Sequence, residues 1–153
     1  MELIPYKQFG KLRLKQFAPP AEILEAPDCE CEWMGGYWKS ESIAQTQTHM
    51  ERHEDTPKET GGLEVDFSDT PESAALAILD AIRLPLRHGM TLREVRSVLG
   101  VPETVDVFVA DRKSYNFTIG TQYPYRVSAT VHETDGLIFV TVIRKDVLRR
   151  CDG

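Results

Sequence analysis

What the chain has little of narrows its function first. No apolar run approaches the ~20 residues that a membrane-spanning helix needs, and Met1-Glu2-Leu3-Ile4-Pro5 carries no basic stretch ahead of an apolar one. The expectation is a cytoplasmic protein with no membrane partner. Cysteine is scarce: Cys29, Cys31 and Cys151 make an odd number, and two of them stand one residue apart, too close to bridge easily. Reduced thiols fit a reducing compartment. Basic runs are confined to Arg144-Lys145 and Arg149-Arg150, and the formal net charge is -6. A phosphate-binding surface needs clustered Lys and Arg, so nucleic acid is not an expected partner. Also missing are a Gly-rich phosphate loop, a Gly-x-Ser-x-Gly elbow and a His-Glu-x-x-His helix. His88 and His132 with Asp111 or Glu133 are conceivable acid–base pairs, but four scattered histidines are usually surface residues. No catalytic residue and no cofactor is assigned, and the chain is not expected to be an enzyme.

What is present describes a folded domain: 41% of residues are apolar and 27% charged. Asp69-Thr70-Pro71-Glu72 carries the marks of a helix start, and Ala75, Ile78, Leu79 and Ile82 recur at helical spacing up to a stop at Pro85. Thr91 and Glu94 form a capping box for a second helix, with Met90 and Val95 as its staple. Leu92, Val95, Val98 and Leu99 face inward, Gly100 caps the end and Pro102 bars continuation. From Thr104 the apolar period drops to two. Val105, Val107 and Val109, then Tyr115, Phe117 and Ile119, then Tyr125, Val127, Ala129 and Val131 predict three strands, each with one buried face. Asp135-Gly136 is a hairpin turn into Leu137–Ile143, which is apolar on both faces and therefore central or doubly covered. The fold expected for residues 69–153 is α+β: two helices, then a four-stranded antiparallel meander.

Residues 1–68 are harder to read. Lys11–Leu14 suggests a short strand, Trp33–Ser40 a hairpin, residues 43–62 a polar loop, and Leu63–Phe67 a strand. A shift of 72 positions aligns Leu12 with Leu84, Leu14 with Leu86, Glu22 with Glu94 and Ile23 with Val95. A degenerate tandem of two similar halves, sharing one compact unit, is the alternative this repeat raises.

The run Gly89-Met90-Thr91-Leu92-Arg93-Glu94-Val95-Arg96-Ser97-Val98-Leu99-Gly100-Val101-Pro102 resembles the GMTxxEVxxxLGxP motif of the β-lactamase inhibitory protein-like superfamily. That superfamily includes outer-membrane assembly lipoproteins of the SmpA/OmlA type. The resemblance continues through Ser114-Tyr115-Asn116-Phe117 and His132–Ile138, so it spans residues 89–143. It implies a sheet whose open face binds protein, and an inhibitory or immunity-like role. The chain lacks the signal peptide and lipidation cysteine of the lipoproteins, which turns the expectation from the envelope to a cytoplasmic inhibitor. A fold supports many functions, so the motif does not name the partner.

Two residue sets carry candidate chemistry. Cys29 and Cys31 with His49 and His53 could hold zinc, but the Cys spacing is tighter than zinc sites use, and no metal is assigned. Trp33, Tyr37, Trp38 and Tyr123 lie by glycines or proline in turns, where aromatic rings serve as contact anchors. They are the expected partner-binding residues. The expectation is a non-enzymatic binding or inhibitory module that neutralises or regulates a partner protein, basic and toxin-like given the net charge. The alternatives are a self-associating structural or regulatory protein, a homo-oligomer built through its sheet, and a zinc protein using the cysteine–histidine set.

Overall fold

Turns and caps that the local sequence encodes decide where the helices begin and end. A computed structural model describes residues 1–12, 38–42, 60–68, 70, 72–146 and 148. In chain order they form α1 (Tyr6–Gly10), β1 (Trp38–Ser42), β2 (Thr60–Asp66), α2 (Glu72–Ala81), α3 (Leu92–Leu99), β3 (Thr104–Val109), β4 (Arg112–Ile119), β5 (Tyr125–His132) and β6 (Gly136–Arg144). The capping box is formed as expected: Thr91 Oγ1 accepts from the Glu94 amide, and the Thr91 amide donates to Glu94 Oε1, both at 3.2 Å. α2 ends differently from expectation. It stops at Ala81, ahead of Pro85, because Arg83 takes a left-handed φ of 66°. The Leu84 amide then reaches back to Leu79 O and the Arg83 amide to Asp80 O, a Schellman closure without its usual glycine.

The described strands make one antiparallel sheet in the order β1-β2-β6-β5-β4-β3. The expected meander is its β3-to-β6 part, and four strands become six because β2 pairs with β6, and β1 with β2. The doubly apolar β6 is thus internal, as its composition required. Within the described residues, 1–68 adds α1 and two strands to the same sheet and shows no second helix–helix–meander unit. Thr60–Gly62, expected in a polar loop, lie in β2, and Lys11 caps α1 rather than starting a strand.

One face of the sheet carries the core. Leu63, Val65, Phe117, Tyr125, Val127, Ala129, Val140 and Val142 are buried there. Helices supply Phe9, Ala75, Ile78, Leu79, Val95 and Leu99 to the same cluster. At one end, Tyr125 sits among Tyr6 and Phe9 at ring distances of 5.3 and 5.1 Å, and its hydroxyl donates to Ile4 O at 2.7 Å. Burial pushes that phenol well up. Arg144, part of the expected basic run, is 4% exposed. It holds Asp146 with two bonds of 3.0 and 2.6 Å and lies 4.8 Å over the Tyr6 ring.

β3 departs from its expected buried face. Val105, Val107 and Val109 are 46%, 57% and 52% exposed, and Phe108 is 84% exposed. The cause is position: β3 is the sheet's edge, while α3 packs toward β6 and leaves it uncovered. A bulge between Asp106 and Val109 also shifts the register of the strand against β4.

Candidate functional site

Three surfaces could act on another molecule: the open sheet face, the hairpin ends, and the β3 edge. The open face is polar and largely paired within itself, although the Thr118 hydroxyl has no hydrogen-bond partner among the described residues. Asn116 Nδ2 donates to Thr104 Oγ1 at 2.9 Å and to Asp106 Oδ2 at 2.8 Å, and its Oδ1 accepts from Ser128 at 2.6 Å. Ser114 and Thr130 pair at 2.8 Å. A face whose polar groups satisfy one another gains little by exchanging them for a partner's.

At the hairpin ends the structure brings together one conceivable acid–base pair. His132 Nε2 lies 3.0 Å from Asp111 Oδ2. His132 Nδ1 accepts from the backbone amides of Thr134 and Asp135 at 3.2 and 3.1 Å, so Nε2 carries the proton and donates to Asp111. The Thr134 hydroxyl also reaches Nδ1, at 3.1 Å. The order Thr134–His132–Asp111 looks like a nucleophile relay, but the two amides already occupy the nitrogen that would have to accept the hydroxyl proton. The pair ties two turns together, and the Glu133 amide bond to Asp111 O at 2.9 Å does the same. The Arg112 guanidinium first, and then the His132 imidazole, hold the Asp111 carboxyl down to about 2. His88 is not part of this group. It stacks on Phe67 with the ring planes 2° apart.

The turn at Asp135-Gly136 also fixes the entry to α3. Gly136 has φ +74°, and a Cβ there would collide with the Gly89 carbonyl. Gly89 N donates to Leu137 O at 2.9 Å and Leu137 N to Met90 O at 2.8 Å. A cleft of about 370 Å³ opens beside this junction, with Leu92, Lys113, Tyr115 and Val131 in its walls. A second, more apolar groove of about 430 Å³ runs along α3 between Leu92 and Val101.

The third surface is the edge itself. Val101, Val105, Val107, Phe108 and Val109 are five of the six exposed large hydrophobics among the described residues, and the sixth is Met1. Four of them lie on β3, and Val101 stands three residues ahead of it.

No protein-family model matches the chain, and no curated protein or solved structure is significantly similar to it.

Of the expected contact residues, Trp33 and Tyr37 lie outside the described residues, and Trp38 opens β1. Tyr123 is half-buried, with its ring 5.4 Å from that of Tyr6. The residues weighed as an alternative zinc set, Cys29, Cys31, His49 and His53, and Cys151 lie outside the described residues as well. The β3 edge was missed because alternating valines signal a half-buried strand, and the sequence does not say which strand will be outermost. One signal was available: Phe108 interrupts the alternation where the bulge falls.

Proposed function

We propose that this protein is a binding module, without chemistry of its own, that docks a partner protein along edge strand β3 and thereby inhibits or regulates it. The carrying observation is the concentration of exposed apolar side chains on that edge. Contiguous apolar surface on a folded chain marks an interaction site. An outer strand also offers unpaired backbone donors and acceptors to an added strand. The inhibitory protein-like motif at residues 89–102 supports protein binding in general, although the surface that resemblance implies is the open face of the sheet and not its edge. Self-association is the second reading, and it would use the same edge.

The test places a photo-crosslinking phenylalanine analogue at position 108 and irradiates it in native lysate. A specific adduct with a different protein, lost when Val105→Asp and Val107→Asp are added, is the expected result. Adducts with its own chain alone would make the protein a homo-oligomer instead. A turnover found in broad substrate screening and abolished by His132→Ala would overturn the binding reading.

A further inference from the structure

The β5–β6 turn holds a titratable group that the protein-binding reading leaves without a role. While His132 is neutral, its two nitrogens have fixed and opposite tasks. Nε2–H donates to Asp111 Oδ2 at 3.0 Å, and Nδ1 accepts from the Thr134 and Asp135 amides at 3.2 and 3.1 Å. The ring therefore closes the turn much as an Asn or Asp side chain closes an Asx turn. Its side chain is 15% exposed, so little water stands ready to replace the amide bonds.

Imidazole is the side chain whose charge ordinarily changes between about pH 5 and 8. A proton added to this ring goes to Nδ1, because Nε2 already carries one. Nδ1 then becomes a donor aimed at two other donors, and both amide bonds are lost together. An acceptor for the new N–H is close by, since Asp135 Oδ2 lies 3.5 Å from Nδ1. The other charges around the ring are Asp111 on the β3–β4 turn, Arg112 opposite it on β4, and Lys113 and Glu133 along the cleft. The α3 side of the cleft presents Gly89, Thr91 and Leu92, and β6 sets Gly136 opposite His132, none of them charged. Arg112 first, and then His132, hold the Asp111 carboxyl down to about 2, so Asp111 keeps its charge and the Nε2 bond while Nδ1 changes.

A change in this turn reaches α3. The Gly89 carbonyl sits where a Gly136 Cβ would be, and Leu137 N donates to Met90 O at 2.8 Å, one residue before the Thr91 cap. The cleft of about 370 Å³ has the turn as one wall and the start of α3 as another. We infer that His132 is a proton-operated latch: the neutral ring holds the β5–β6 turn against the start of α3, and protonation at Nδ1 releases the turn and widens the cleft. The new N–H turns to Asp135. The latch is independent of which partner docks at β3.

An NMR titration of the full chain tests this. At high pH the His132 ring should show a bare Nδ1 and a protonated Nε2. As the ring takes up its second proton, the Thr134 and Asp135 amide protons should move upfield, and the Met90 and Leu92 amides should shift with the same midpoint. Carboxylates ordinarily titrate about two units lower, which separates any contribution from Glu94 in the capping box. In His132→Asn the side-chain oxygen replaces Nδ1 as acceptor and takes up no proton. That variant should keep the high-pH shifts of Thr134 and Asp135, and its Met90 and Leu92 amides should not respond between about pH 5 and 8. A neutral ring protonated at Nδ1, Met90 and Leu92 amides that ignore the His132 midpoint, or the same response in His132→Asn overturns the latch. A ring that stays neutral until the protein unfolds in acid overturns it as well.

Discussion

Arg83 is a side chain in a conformation that L-residues disfavour by about 1–2 kcal/mol, at a helix end where glycine is the usual occupant. Arg83→Gly should therefore raise stability by about 0.5–1 kcal/mol, once the extra freedom of the unfolded chain is deducted. Urea melts check it, and a loss of stability would mean that the arginine side chain contributes more than its backbone strain removes. Asp111 makes a prediction in pH. Its folded-state pKa, about 2, is below the ordinary 3.8. The carboxylate therefore adds stability above that ordinary value, and the contribution is lost as pH falls from 3.8 toward 2. Asp111→Asn should melt lower than the unaltered protein above pH 3.8, and the difference should shrink as pH falls to about 2. The pairing of His132 with Asp111 was legible in the sequence as residue types, alongside His88 and Glu133, which the structure leaves out of it. That Nδ1 is filled by two amides was not legible, because a turn's amide directions follow from its backbone path and not from residue identity.

At the scale of elements, α3 is the part best encoded locally. Thr91→Ala should cost about 1 kcal/mol through loss of the cap, and Leu99→Ala about 2–5 kcal/mol through a cavity. If denaturant melts reverse that order, the buried side of α3 is not the one formed by Val95 and Leu99. The Gly136 turn is the more demanding junction, since its positive φ and the Gly89 carbonyl both exclude a side chain. Gly136→Ala should destabilise by about 2–4 kcal/mol, read as a lower melting temperature together with altered amide shifts at Met90 and Leu92. β3 behaves in the opposite way. Phe108→Asp should leave stability within about 0.5 kcal/mol, because an exposed side chain contributes little to folding, while it lowers recovery of the partner in a native-lysate pull-down. The alternation of valines correctly indicated a strand at Thr104–Val109 and wrongly indicated its burial. Period two records that a segment is extended, and burial depends on what is packed above it.

The whole molecule is held together across its two sequence halves, by β2 on β6 and by Tyr125 and Arg144 packed with Tyr6. A fragment of residues 69–153 would bare the ladder groups of β6 and one end of the core. It should lose cooperative melting and protection of the β6 amides from exchange, and a fragment that melts like the full chain would show that the meander is an independent unit. By itself the sequence determined the α+β class, both helices after residue 69, the run of four paired strands and the internal place of β6. Each of those rests on contacts or periodicities within a few residues: caps, turn glycines, and the alternation of apolar side chains. Only the tertiary structure decided that the sheet continues to β2 and β1, and that β3 is the bare edge. Those outcomes depend on which element lands beside which, over separations of tens of residues, and no local pattern records that choice.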